Sequence, residues 1–256
     1  MYPMRPVAAA VAATTALLVA GCGDGSTSGS GSPATSSPTS SPTSSPSASP
    51  TGNGVAALPA DQILAKAKAA LIGADSVRIK GTGGTGTERF DIDMSYVGAN
   101  SAGSLAVAGQ KIDLRKLGQT VYLRGSREFW TGIGGTGAAE LLTGKWLKAP
   151  ITNKKWAQLA ELTDLSKAAD GILEPDGPVT KGQPKAIEGK QAITLKSGTG
   201  AEEGALYIAT EGEPYPLRIE STKEDGKVDF TAYGEPVKVE APPSELVVDV
   251  TKLPGA

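Results

Sequence analysis

The residue types that most often carry protein chemistry are scarce in this chain. Its 256 residues include no histidine and one cysteine, Cys22. That composition excludes Ser-His-Asp and Cys-His nucleophile systems and histidine-ligated zinc or haem. It also excludes an internal disulfide and a four-cysteine metal cluster. Carboxylates are plentiful, but paired-carboxylate hydrolysis needs two of them facing one cleft. Asp91 and Asp93 alternate with Ile92 and Met94, which marks a solvated strand face rather than a calcium site. Glu202-Glu203 and Glu224-Asp225 fall in turns. Gly81-Thr82-Gly83-Gly84-Thr85-Gly86 fits G-x-G-x-x-G, yet an alternating strand follows it where a dinucleotide fold needs a helix. The second match, Gly132 to Gly137, lacks both a βαβ setting and an acidic residue about 20 positions on. Gly144-Lys145 is followed by Trp146 and not by Ser or Thr, so it is no phosphate loop. No catalytic residue, metal ligand or cofactor is expected, and the chain reads as a non-enzyme. The net charge is −2, from 25 basic and 27 acidic residues, so the basic surplus of a nucleic-acid binder is missing.

The one thiol has a particular address. Arg5 precedes an apolar stretch from Val7 to Ala20, the charge and length pattern of a secretory signal over residues 1–21. The stretch falls short of the ~20 apolar residues a membrane span needs. It ends Leu17-Leu18-Val19-Ala20-Gly21-Cys22, which resembles the bacterial lipobox, with Val19 where Leu is commoner. That resemblance implies cleavage before Cys22, a diacylglycerol on its sulfur and acylation of the new amine. Two or more acyl chains anchor stably where one binds marginally. The expected location is the extracytoplasmic face of the cell membrane. From 23 to 54 every residue except Asp24, Ala34, Ala48 and Asn53 is Ser, Thr, Pro or Gly. Such a segment buries too little apolar area to offset chain entropy, so residues 22–56 read as a lipidated cysteine and disordered tether.

Residues 57–256 suffice for one sizeable core. Ile63, Leu64, Ala67 and Leu71 recur at helical spacing, with Pro59 before them and Gly73 after. The period then changes to two. Phe90, Ile92, Met94 and Tyr96 alternate with polar residues, as do Val77 with Ile79, Leu105 with Val107, Ile112 with Leu114, and Val121 with Leu123. One-sided alternation with short Gly-rich turns predicts an antiparallel meander. Residues 127–144 are ambiguous. Lys145 to Ala149 reads as a short strand, Asn153 as a cap for a helix carrying Trp156, Leu159 and Leu162, and Asp164 to Leu173 as its continuation. Strands resume at Val179–Glu188, Gln191–Ser197, Ala205–Thr210, Tyr215–Thr222 and Lys227–Tyr233. Val237–Val239 and Leu246–Val250 are possible edge pieces. The expectation is an α+β domain: a strongly twisted, roughly eleven-stranded antiparallel half-barrel. An N-terminal helix and a mid-chain helical insertion cover it.

This order, with Val121-Tyr122-Leu123 before Phe129-Trp130 and with Lys145-Trp146-Leu147, resembles the LolA/LolB-like superfamily. Within it the likeness is to actinobacterial lipoproteins of the LppX/LprG type. The resemblance spans about residues 57–250. It implies a cavity between sheet and helices that holds the acyl chains of a lipid or lipoglycan. The candidate lining is Phe90, Ile92, Met94, Val121, Leu123, Leu159, Leu162, Leu217, Ile219, Val228 and Phe230. Whether that face is a cavity or a filled core is left open by the pattern. Trp146, Lys148, Lys154, Lys155 and Trp156 form a basic-aromatic cluster suited to a membrane surface or anionic headgroups. The alternative is a ligand-free interaction or envelope-stress sensing module, RseB-like, with an envelope protein as partner.

Overall fold

The computed structural model describes residues 52–84, 89–175, 177–198, 204–221 and 226–252. The signal segment, Cys22 and the Ser/Thr/Pro-rich run to residue 51 lie outside the described residues.

The first helix, α1 (Ala60–Ile72), follows Pro59 and buries Ile63, Ala67 and Leu71 along one face. The chain before it is already part of the fold. Asn53 donates from its backbone N–H to the Thr210 carbonyl at 2.8 Å, and its side chain donates to the carbonyls of Ala209 and Gly212. Val55 is buried. Residues 52–56, assigned to the tether by composition, therefore belong to the domain.

Five strands follow as a meander: β1 (Ser76–Gly83), β2 (Phe90–Val97), β3 (Asn100–Val107), β4 (Gln110–Leu117) and β5 (Thr120–Gly125). Their odd–even alternation puts Val77, Ile79, Met94, Leu114 and Leu123 into the main core. Arg78, Asp93, Asp113 and Arg124 lie on the other face, where they pair with one another. The ambiguous stretch is helical. In α2 (Arg127–Leu142) the Ser126 hydroxyl accepts from the Phe129 N–H, and the helix breaks at Gly134 and Gly135, the latter at φ 73°. Next come β6 (Trp146–Pro150), a 3-10 turn (Lys154–Trp156), α3 (Ala157–Glu161) and α4 (Leu165–Ile172). The expected single helix over Trp156 to Leu173 is thus two. Asp164 separates them by capping α4, accepting from the N–H groups of Ser166 and Lys167.

The later strands are β7 (Thr180–Lys181), β8 (Lys185–Ile187), β9 (Lys190–Ser197), β10 (Gly204–Ala209), β11 (Pro216–Ser221), β12 (Gly226–Thr231) and β13 (Val247–Asp249). Thirteen strands are present among the described residues, against about eleven expected. Val179–Glu188 is split in two around Gly182 to Pro184, because proline donates no ladder hydrogen bond. Val247–Asp249 runs parallel to β6, and Val237–Val239 forms no strand. All thirteen belong to one open, mostly antiparallel sheet in the order β13-β6-β5-β4-β3-β2-β1-β12-β11-β10-β9-β7, with β8 also on β9.

Two glycines mark where neighbouring strands crowd together. A Cβ on Gly81 would lie 2.5 Å from the Val228 Cα, and one on Gly103 would lie 2.7 Å from the Met94 Cα. Only residues without a side chain let the strands approach so closely there. Both sit in the alternation on the core side, where a strongly curled sheet compresses its inner surface.

Candidate functional site

Between the sheet and helices α1 and α4 lies a cavity of about 720 Å³, within the range of small-molecule sites. Its floor is apolar: Phe90 and Ile92 from β2, Leu105 from β3, Leu195 from β9, Leu206 from β10, Ile219 from β11 and Val228 from β12. Leu64 of α1 and Ala168, Gly171 and Ile172 of α4 form the roof. Small residues on α4 leave the space that larger ones would fill. One end of the cavity follows a row of residues that close their strands, from Ser197 through Gly204, Ser221 and Gly226 to Gly83, Phe90 and Val107. Polar side chains gather there: Ser197 and Ser221, with Glu174 just past α4. Val107, on the same rim, is 41% exposed. The Phe90 ring lies against the Gly83 Cα, and a Cβ at that position would stand 2.7 Å from the ring.

The roof is fixed at its other end. Buried Tyr96 donates to the Leu162 carbonyl at 2.8 Å, and Ser101 donates to the Thr163 carbonyl at 2.8 Å. Lys116 reaches Asp164 at 2.9 Å. Burial pushes the Tyr96 hydroxyl well above its ordinary pKa, so it remains a donor. The hydrogen bond from Lys116 holds the Asp164 carboxyl below its ordinary value, with help from the N–H groups it caps. Three consecutive residues at the α3–α4 junction are therefore tied to β2, β3 and β4. Farther along α4, Asp170 meets Lys68 of α1 at 2.7 Å in a solvent-exposed pair. Among the described residues, the cavity-lining part of α4 thus rests on apolar contacts and one exposed ion pair.

The sequence-derived lining divides. Phe90, Ile92, Leu162, Ile219 and Val228 face the cavity. Met94, Val121, Leu123 and Phe230 are at most 2% exposed and fill the main core instead, and Leu159 packs partly buried against it. Leu217 is on neither surface. The register between β10 and β11 shifts after Tyr207↔Arg218 to Ile208↔Pro216, leaving Leu217 as the extra residue of a bulge. It joins a separate cluster with Ile187, Ala192, Tyr207 and Ala209. The roof residues Leu64 and Ile172 were missed as liners, although their helical spacing was readable.

The basic-aromatic cluster is not one surface. Trp146 and Trp156 are 3% and 6% exposed. Trp156 lies in the main core, edge-on to Trp130 at 5.9 Å between ring centroids. Trp146 lies on the opposite face of the sheet, with the guanidinium groups of Arg115 and Arg124 at 4.8 and 4.6 Å from its ring centre. Lys148 is engaged by Asp249 at 2.9 Å. Lys154 and Lys155 are exposed, the latter 5.6 Å from the Trp156 ring. Tryptophan in a lysine-rich segment suggests a surface; burial of its large apolar area decides otherwise.

Among the described residues no helix is long and apolar enough to cross a membrane, and no group of three or more acidic or cysteine side chains is placed to hold a metal ion. No protein family's sequence profile matches the chain, and no curated protein sequence matches it. Among solved structures the chain is similar to LprF from Mycobacterium bovis, at 16% identity and a TM-score of 0.46, over 72% of this chain and 96% of that one. It is similar to the lipoprotein LppX of Mycobacterium tuberculosis at 15% identity and a TM-score of 0.41, over 70% and 99%. An uncharacterised conserved protein from Thermus thermophilus matches at 12% identity and a TM-score of 0.38, over 74% and 98%.

Proposed function

We propose that this protein binds a lipid, taking acyl chain into the cavity between the sheet and helices α1 and α4, and that it acts as a carrier rather than a catalyst. The observation that supports this reading is the cavity itself. It is about 720 Å³, floored by Leu, Ile, Val and Phe side chains and bordered at one end by the polar side chains of Ser197, Ser221 and Glu174. That division suits an amphiphile: the apolar walls favour burial of methylenes at about 0.8 kcal/mol each, and the rim suits a polar headgroup. Carriage also needs no nucleophile or base, in keeping with a chain without histidine. In the same proposal Cys22 carries the lipid that anchors the chain to the extracytoplasmic face of the membrane.

Native mass spectrometry of the full chain purified from its own membrane tests the first part. The expected spectrum contains the protein with a co-purifying lipid. Protein free of lipid but carrying a reproducible protein partner would favour the interaction module instead. For the anchor, Cys22→Ala is expected to release the protein to the medium, read by fractionation. Retention of the variant in the membrane overturns the lipobox assignment.

A further inference from the structure

The face of the sheet turned away from the helices carries a second concavity. Two cross-strand rows run over β1 to β5: Asp93, Ser104, Asp113 and Arg124 in one, and Arg78, Ser95, Ala102 and Arg115 in the other. The short side chains of Ser95, Ala102 and Ser104 make a floor. The long ones rise around it and border a shallow, open depression of about 430 Å³.

The charges of this groove do not cancel. Arg78 meets Asp93 through a two-bond fork at 2.8 and 2.7 Å. Arg124 meets Asp113 at 2.9 and 2.7 Å. Arg115 has no carboxylate partner among the described residues. One of its N–H groups donates to the Glu240 carbonyl at 2.8 Å, and its guanidinium stacks over Trp146. Lys80 and Lys111 share those same two aspartates at 3.6 and 3.8 Å, so positive charge is in excess here. The contacts to Glu240 and Trp146 hold the Arg115 guanidinium in place and leave further N–H groups for an acceptor. Guanidinium forks fit carboxylate and phosphate oxygens. Around Arg115, two serine hydroxyls and the outer lone pairs of Asp93 and Asp113 present donors and acceptors together. A purely apolar ligand is disfavoured by the polar floor.

We propose that this groove is a second binding site, for a sugar that carries one carboxylate or phosphate. Arg115 takes the anion, and Ser95, Ser104 and the two aspartates take ring hydroxyls. The site is on the opposite side of the sheet from the apolar cavity and does not depend on the lipid-binding reading.

The full chain in detergent is titrated with glucuronic acid, glucose 6-phosphate, glucose and inorganic phosphate. Calorimetry and tryptophan emission are followed, since Trp146 lies beneath Arg115. Saturable binding of glucuronic acid or of glucose 6-phosphate is expected, and which one binds identifies the acid group. Glucose and inorganic phosphate are expected to bind at least tenfold more weakly. Arg115→Gln removes the charge, and Ala102→Gln fills the floor without touching a charge. Both should weaken binding at least tenfold in a protein that still unfolds cooperatively, and Ala102→Gln should leave thermal unfolding unchanged. The proposal is overturned if neither anionic sugar saturates at millimolar concentration. Equal binding of glucose or phosphate also overturns it, as does undiminished affinity in the folded Ala102→Gln protein.

Discussion

Gly103 shows how much one missing side chain can decide. On β3 it faces the core side, and its backbone lies against that of Asp93 and Met94. Gly103→Ala would force a methyl into a space already occupied by main chain, which cannot rotate aside. Overpacking of this kind costs typically about 1–3 kcal/mol. The variant is therefore expected to lower the urea midpoint with an unchanged slope, and a wild-type midpoint would show that the strands can separate at no cost. The position also shows what a linear pattern hides. Asn-Ser-Ala-Gly-Ser-Leu-Ala-Val reads as a weak strand of small residues. That the small residue is demanded by the neighbouring strand is a property of the curl. The same holds for Leu217, whose alternation predicts the cavity face until a bulge turns it to the other, and for Trp146 and Trp156, which lie on opposite faces although ten residues apart in a lysine-rich segment.

Elements with strict periodicity were legible. β2 was evident from Phe90, Ile92, Met94 and Tyr96, and α1 from Ile63, Leu64, Ala67 and Leu71 at helical spacing. α2 was not, because its glycines interrupt the helical period and Ser126 signals only its start. Pairing of distant strands was equally hidden: Val247–Asp249 has strand character, but nothing local says that it runs parallel to β6. The Lys148–Asp249 ion pair helps to hold that edge. Hydrogen bonds from Lys148 and then from Thr251 lower the Asp249 carboxyl from an ordinary 3.8 to about 2. A lowered carboxylate pKa stabilises the fold above its unfolded value and loses that contribution as pH falls toward the folded one. Protection of the Val247 and Val248 amides should therefore decline between about pH 4 and pH 2, followed by hydrogen exchange. In Asp249→Asn the pH-dependent part of the decline should vanish. An identical profile in the variant would assign the acid sensitivity to another group.

For the whole molecule, the concave face has two unlike halves. Under α2 the space is filled by Phe129, Trp130 and Trp156, whereas under α1 and α4 it stays open. The apolar pattern of the inner face was readable from the sequence, but filling was not. It depends on how residues from seven strands and two helices meet. Ile219→Trp puts bulk into the open half at a position that is only partly buried. It is expected to reduce binding of a fluorescent fatty acid at least tenfold while leaving the unfolding free energy within about 1 kcal/mol of wild type, as a substitution into existing space should. Full binding in a folded variant would place the acyl chain elsewhere. Strand order has a consequence of another kind. β1 is hydrogen-bonded on one side to β2 and on the other to β12, so residues near 80 wait for residues near 230. Helix α1 likewise buries Ile63 and Ala67 against Ile193, Leu195 and Ile208 of β9 and β10. As a nascent chain emerges, the β1–β5 meander can pair within itself while β1 keeps one unsatisfied edge. Contacts of such sequence separation form slowly. Completion of this fold thus waits for the C-terminal third of the chain, and a chain truncated before β12 would hold a sheet with its central seam still open.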